Sequence, residues 1–491
     1  MSELVVESRT DRRPWILLAA CGILFVCVVV RSAHSIAQYN SLNFVSGAWV
    51  ALAQDLSEGI FYRPLVSEDG FGGTRFFPLQ FVCHAVLIRF GLSPFFAGFV
   101  LCITWTILLI TGTYAFLRRA GASAAFSLAG AILPLASAAV LTGLIDIRGD
   151  ILPASLNVWG LAMCLPCRKE QRPSTVTAAI FFSLAFAAKI TTVFGVAAGF
   201  LALFLAGNRK AAFRLAVLTA VGYAMTLGLI YAVSGGRVVE IFRACAGGGT
   251  DWKYFVQSPI WLTSHFIAHD PIGFAIVAIA LGGFLGMIAA VWRDLSSMAM
   301  LTTLAIALFI FGSPGTSVNH LIDLVVTSVV YLMVQIVRGR IPRGFIVGWM
   351  SVLALVSGIQ CLDRFRDTSY LSRKTEMSKA VAAIGTVNGP ILAEDPLIPL
   401  MAGKRPYVLD SWMLRLITDN DPAAMQRLQG ELQARKFPVV VLTTDPNRDG
   451  GRYLEERVFG TGFVSPLLLN YELSETVGRF RVYRSKATSG N

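Results

Sequence analysis

Residues 44–79 read FVSGAWVALAQDLSEGIFYRPLVSEDGFGGTRFFPL. In the first half, Val45, Trp49, Leu52 and Leu56 fall on one helical stripe, with Ser46, Asp55 and Glu58 elsewhere on the surface. This pattern predicts an amphipathic helix lying on a membrane. The second half carries Tyr62, Arg63, Glu68, Asp69 and Arg75, more polar functionality than a connector requires. Gly70, Gly72 and Gly73 let the backbone there pass close to a ligand or fold tightly. The apolar stretch that follows, Pro78 to Phe90, has 13 residues, whereas a bilayer core of roughly 30 Å needs about 20 per helix. It reads as a partial or interfacial helix. Counting it as a span would put both arginine clusters that follow it on the wrong side of the membrane.

The rest of the chain sets this loop in a membrane protein. Of 491 residues, 55% are hydrophobic and 15% charged, against about a quarter charged in soluble domains. With Arg12 and Arg13 taken as cytoplasmic, a first span runs from about Trp15 to Ala33. It is too long for a signal peptide and is retained as a helix. Further spans follow near 94–116, 123–141, 152–165, 175–188 and 191–205, one ends at Val233, and four more lie near 271–292, 297–313, 320–337 and 343–361. The reading is an α-helical polytopic membrane protein with about eleven transmembrane helices, outer loops at about 34–93 and 234–270, a cytoplasmic N-terminus and a periplasmic C-terminus. The net charge of +12 sits in short clusters between apolar runs, such as Arg118–Arg119, Arg168–Arg172 and Arg338–Arg343. That distribution fits positive-inside topology and excludes a nucleic-acid face. Most of the eight Cys fall inside apolar runs. Cys164 and Cys167 have CxxC spacing but no second pair, which argues against a metal or redox site.

From about residue 362 the composition becomes soluble-like, so the chain divides into a transmembrane domain over 1–361 and a small extracytoplasmic α/β domain over 362–491. GPILAED (389–395) and FPVVVLTTD (437–445) read as buried strands. DPAAMQRLQGELQARK (421–436) reads as a helix with Asp421 near its cap, and RFRVYRS (479–485) as a final edge strand. With no Gly-rich phosphate loop and no catalytic constellation, this region is expected to be a rim over the membrane domain.

Candidate chemistry lies on the outer side. In LIDIRGDILP (144–153), Asp146, Arg148 and Asp150 stand between two apolar runs, where charge is costly unless it meets water, a partner or a ligand. On a helix the two aspartates share a face, and Arg148 can bridge to either or meet an anion. Lys189 tips a tight helix pair, where an ammonium snorkels or binds phosphate. Asn319, His320 and Asp323 begin an outer helix end. His265 and His269, with Asp270 adjacent, have the i, i+4 spacing of a metal pair but lack the intervening Glu of a zincin.

These elements resemble the GT-C superfamily of polytopic glycosyltransferases, which includes the protein O-mannosyltransferases and the aminoarabinose transferases of lipid A. The resemblance rests on A-x-D-L-x-x-G-x-x-Y (Ala53, Asp55, Leu56, Gly59, Tyr62) and FFPL (76–79) in the first outer loop, RGD (148–150) in an acidic outer turn and NHLID (319–323) at a later helix start. It covers the order of elements over roughly the whole chain. It implies a cell-envelope transferase of a bacterial inner membrane. The donor is a sugar on a polyprenyl phosphate, the acceptor an outer-face lipid, glycan or protein, and the group moved a hexosyl or pentosyl unit. It also implies a first-loop carboxylate acting as general base or metal-supported base, which leaves the cofactor open, a divalent metal being the candidate. In relatives that carboxylate begins the interfacial helix. Here the place falls near Ser46, with Asn43 close by, and neither is a carboxylate.

The expected catalytic acids are therefore Asp146, Asp150, Glu68, Asp69 and Asp55. Arg148, Arg63, Arg75, Tyr62, Lys189, Asn319, His320 and Asp323 are the expected substrate-binding groups. The competing readings are a multi-pass transporter or lipid flippase, and a catalytically inactive binding protein on the same scaffold. Polar groups gathered on one face, without an inverted repeat, disfavour the transporter. The topology predicts that an Arg148→Cys variant is labelled by a membrane-impermeant maleimide from outside intact cells; labelling only after permeabilisation would overturn it.

Overall fold

The computed structural model describes residues 13–39, 41–166, 173–248, 252–313, 316–366, 369–385, 387–447 and 449–487. Arg12, the Arg168–Arg172 cluster and Cys167 of the CxxC pair lie outside them. The chain opens with α1 (Arg13–Gln38), α2 (Phe44–Ser57), a hairpin of β1 (Val66–Ser67) and β2 (Gly70–Phe71), α3 (Pro78–Arg89) and α4 (Pro94–Arg119). α5 (Ala124–Ile132), α6 (Ala138–Ile145), α7 (Ile151–Cys164), α8 (Thr175–Ala188), α9 (Phe194–Leu205) and α10 (Arg209–Val233) follow. The second outer loop folds as α11 (Arg237–Ala246) and α12 (Trp252–His269). α13 (Pro271–Gly286), α14 (Ile288–Val291), α15 (Leu295–Ile310), α16 (Ile322–Val337) and α17 (Arg343–Arg366) complete the apolar part.

The expected apolar segments are all helical, with different reach. Among the described residues, five helices are long and apolar enough to cross a membrane, or six if the bent pair of α5 and α6 counts as one. α3, α7, α8, α9, α13 and α15 are shorter apolar helices; at 1.5 Å per residue the 14 residues of α7 or α8 reach only about 21 Å. The count of eleven spans is thus not fixed by helix length.

One expected span is broken. The segment 123–141 bends by 81° between Ala136 and Ala138, because Pro134 lies in a 3₁₀ turn and Ser137 is extended. The amides freed by the break are taken up by the buried Asp270. Its carboxylate accepts the Ala138 N–H at 3.0 Å, the Ala139 N–H at 3.3 Å and the Ser137 hydroxyl, and also caps α13 through the Gly273 N–H at 2.9 Å. Asp270 is thereby committed to two helix starts rather than to the neighbouring histidines.

The interfacial helix forms over the expected residues, capped by Asn43, whose side chain accepts the Val45 and Ser46 amides. It does not lie on the surface. Ser46 and Asp55 are buried along with Trp49 and Leu52, because the C-terminal part of the chain covers its outer side. Gly47 shows how closely: a Cβ there would stand 2.7 Å from the Leu397 nitrogen.

That C-terminal part holds α18 (Ser369–Gly385), β3 (Ile391–Ala393), α19 (Leu397–Met401), α20 (Ser411–Asn420), α21 (Pro422–Gln433), β4 (Val439–Leu442), α22 (Asp449–Leu454), α23 (Val464–Asn470), β5 (Tyr471–Val477) and β6 (Phe480–Ser485). Both expected buried strands form, and Asp421 caps α21 through the Ala423 amide. The sheet order is β3-β4-β6-β5, with β3 parallel to β4 and the other pairs antiparallel. The last strand is therefore internal, not an edge; β5, whose side chains are mostly exposed, takes the edge. One apolar cluster joins Trp49, Tyr62 and Phe81 of the first loop to Ile147 and to Leu397 and Leu409.

Removing the double cap should be costly. A lost N-cap destabilises by about 0.5–2 kcal/mol, so Asp270→Ala is expected to lower stability by about 1–4 kcal/mol in detergent unfolding, whereas His269→Ala stays near wild type.

Candidate functional site

A cavity of about 1300 Å³ opens between the outer helix ends and the C-terminal sheet. The turn after α6 forms its floor. Asp150 lines it and accepts two hydrogen bonds on Oδ1, from Lys189 Nζ at 2.7 Å and Asn319 Nδ2 at 2.9 Å. Thus the tip of the α8–α9 pair and the start of α16 meet at one carboxylate. Burial alone would raise the Asp150 carboxyl. The cations beside it, Lys189 first and then Arg148, hold it down at about 2.

Asp146 sits behind the lining. Its Oδ2 accepts Asn43 Nδ2 at 2.8 Å and Arg148 Nε at 3.0 Å. Burial pushes this carboxyl up to about 6, against the lowering by Arg148 and Asn43. The pair orients Arg148, which lines the cavity together with Asn43. The expected helical face shared by both aspartates does not form, since Asp146 is extended and ends α6 while Asp150 begins α7.

Other expected residues divide between site and scaffold. Arg75 lines the cavity, its guanidinium 4.7 Å from the Trp412 ring and 3.6 Å from Asp410. His320 and Asn319 also line it, and His320 Nδ1 has no hydrogen-bond partner among the described residues. Asp323, one turn on, is outside the lining.

The first-loop motif residues are scaffold. Asp55 is clasped by Arg63, with Nε at 2.5 Å and Nη2 at 2.8 Å, and by Arg405 at 3.2 Å, while Arg63 also donates to the Pro406 carbonyl at 2.7 Å. Burial pushes the Asp55 carboxyl up even against these cations. Tyr62, at φ 56°, donates its hydroxyl to the Phe76 carbonyl at 2.9 Å. Glu68 and Asp69 are exposed at the β1–β2 turn. Gly70 holds that turn against the Tyr407 carbonyl, 2.1 Å from where a Cβ would stand. Neither Glu68 nor Asp69 lines the cavity, and Asp55, Arg63 and Tyr62 do not either.

A divalent metal does not fit these residues. The two aspartates of the turn are neutralised by Arg148 and Lys189, and among the described residues no three His, Cys, Asp or Glu side chains group as a metal site. His265 Nδ1 faces the Trp261 carbonyl at 2.9 Å on its own helix.

The sequence reading passed over the cavity wall made by the C-terminal sheet. Glu394, Asp395, Tyr453 and Arg479 line it, with Trp412 and Arg415 of α20. The acidic pair that closes the strand GPILAED was the available signal, since ligands bind at the carboxyl ends of strands in open α/β sheets.

No protein-family model matches the chain, and no curated protein matches it in sequence. Its fold is similar to that of ArnT from Cupriavidus metallidurans bound to undecaprenyl phosphate, with a TM-score of 0.58 at 13% identity over 94% of this chain and 98% of the other. It is also similar to the archaeal oligosaccharyltransferase AglB from Archaeoglobus fulgidus in complex with an inhibitory peptide and a dolichol-phosphate. There the TM-score is 0.54 at 12% identity over 95% of this chain and 75% of the other. The chain is an integral membrane protein with the fold of the GT-C glycosyltransferases, and its C-terminal part holds a small sheet.

Asp146 makes a signed prediction. Its carboxyl titrates higher in the fold than its ordinary 3.8, so the folded state binds more protons than the unfolded chain between about pH 4 and 6. Its contribution to stability therefore falls as pH rises through that window. Thermal midpoints against pH should show the slope in the wild type and lose it in Asp146→Asn; an unchanged slope would sink the assignment.

Proposed function

We propose that the protein is a membrane glycosyltransferase that moves a sugar from a polyprenyl-phosphate carrier to an acceptor on the outer face of the membrane. The observation that carries this reading is the cluster of Asp150, Lys189 and Asn319 with Arg148 on the cavity floor. Asp150, through the oxygen it shares with Asn319, holds Lys189 in a fixed place, and Asp146 fixes Arg148 in the same way. Two oriented cations at the cavity floor suit a phosphate whose charge grows as the sugar leaves. Beside them the lining becomes apolar, with Ile190, Phe309 and Ile310, of which Ile190 and Phe309 are exposed. An isoprenoid tail suits that apolar stretch. The lipid phosphates bound in ArnT and AglB are the same chemistry in proteins of similar fold.

In this reading Asp146 and Asp150 position cations rather than take protons. Asp150, near 2, is a weak base at neutral pH, and Asp146 stands behind the cavity lining. Arg75 and His320 complete the polar lining. The N-terminus is cytoplasmic, the C-terminal part from about residue 362 periplasmic, and the membrane a bacterial inner one. Asn43, standing at the helix start where the resembling family carries its carboxylate, favours the second reading, a lipid-phosphate-binding protein without turnover.

Undecaprenyl phosphate is expected to raise the thermal midpoint of the purified protein. Lys189→Ala and Arg148→Ala should each weaken its binding about 10–100-fold, the range of one charge-assisted hydrogen bond. Equal binding by both variants would exclude the floor as the phosphate site. Binding without transfer from any polyprenyl-phosphate sugar would select the second reading.

A further inference from the structure

The wall opposite the floor carries groups with no role so far. Glu394 and Asp395 follow β3, whose residues pair in parallel with β4, and both line the cavity although only 7% and 6% exposed. The two residues after them press on the first turn of α2: a Cβ at Gly47 would lie 2.7 Å from the Leu397 nitrogen and 3.1 Å from Pro396 Cγ. The carboxylates therefore stand beside the helix start that carries Asn43. From there the lining continues through Arg148 to Lys189. Trp49, in the same helix, also lines the cavity; it is buried, and its indole N–H has no hydrogen-bond partner among the described residues.

Transfer to a hydroxyl needs a group that takes its proton. The carboxylates of the cavity differ in how far they are committed. Asp150 is held by Lys189 and Asn319. Asp419 faces Arg415 at 3.6 Å, and Glu456 is exposed and paired with Arg452 at 2.7 Å. Asp395 accepts the Leu397 amide on Oδ1 at 3.0 Å and faces Arg479 at 3.8 Å. Glu394 has Thr443 as its hydrogen-bond partner among the described residues, accepting that amide on Oε2 at 2.7 Å.

We propose that Glu394, brought to the cavity by the C-terminal sheet, is the general base that takes the proton of the acceptor hydroxyl. This rests on the transferase reading above. The acceptor oxygen bonds to the anomeric carbon as the bond from that carbon to the phosphate oxygen breaks. The bond pair leaves with the phosphate, giving polyprenyl phosphate, and its added negative charge meets Lys189 and Arg148. The hydroxyl proton passes to Glu394 and from there to water. Burial pushes the Glu394 carboxyl above its ordinary range, against the lowering by Thr443 and Arg479, which moves it toward the pH where a base works best. Asp395, Arg479 and Tyr453 are the ionisable groups that face it.

The test uses the full chain in nanodiscs, a panel of polyprenyl-phosphate sugars as donors, native membrane extract as acceptor source, and released polyprenyl phosphate as readout. Glu394→Gln, which keeps the Thr443 hydrogen bond, is expected to lower turnover by about 100-fold or more. Its thermal shift with undecaprenyl phosphate should stay unchanged. Glu394→Ala should regain part of the activity with added formate, which a structural role would not produce, and Asp395→Asn should keep most of it. Near-normal turnover in Glu394→Gln, or loss of turnover together with undecaprenyl phosphate binding and no rescue by formate, overturns the assignment while the transferase reading stands. Wild-type protein that turns over no donor overturns both.

Discussion

A carboxylate buried at the edge of hydrocarbon is tolerated only when its charge is met, since leaving one partner of such a pair alone costs about 3–5 kcal/mol. The turn between α6 and α7 contains two. Asp146 draws in Asn43 from the start of α2 and Arg148 from its own turn, while Asp150 draws in Lys189 and Asn319 from two other helix ends. The backbone of the turn is held as well. Ser41 donates to the Ile145 carbonyl at 2.7 Å, and Gly98 and Gly149 leave room for Ile147 and Trp49. Four separate segments are thus fixed relative to one another by the need to neutralise two charges.

That constraint shapes the cavity and also what covers it. With α2 pinned through Asn43, its outer side is available to the C-terminal sheet, which seats Pro396 and Leu397 against Gly47. The β1–β2 turn is tied to the same C-terminal part, through the segment before α20 and through α21. Phe71 donates to the Tyr407 carbonyl at 2.8 Å, and Arg427 to the Ser67 carbonyl at 2.6 Å. The C-terminal part is therefore more than a rim: it completes one wall of the site and shares an apolar cluster with the first loop.

Much of the helical framework is legible from hydropathy and caps. α8 begins and ends where the pattern says it does, and Asp421 and Pro422 start α21 as their chemistry requires. The break after Pro134 escaped the hydropathy reading, which runs 123–141 as one span, although the proline itself was the available signal. Asp270 lies more than a hundred residues from Ala138, and only the fold shows that one carboxylate caps both helix starts. In the site, the residue types of the acidic turn announced themselves by their rarity in an apolar chain. Asp55, equally rare, proved to be a clasp for Arg63 and Arg405 because rarity does not distinguish a structural ion pair from a reactive group.

What the sequence determined by itself is local: apolar runs of span length, helix starts, strand periods, and a short list of charges that had to be explained. These follow from chemistry within a few residues of each position. Only the tertiary structure decided which charges meet. It joined Asp150 to Lys189 and Asn319, hid Asp146 behind Asn43, seated Pro396 and Leu397 on the first turn of α2, and brought Glu394 to the wall of the same cavity. The physical reason is that the pairing of buried charges depends on distance in space. Sequence separation sets no such distance until the helices have packed.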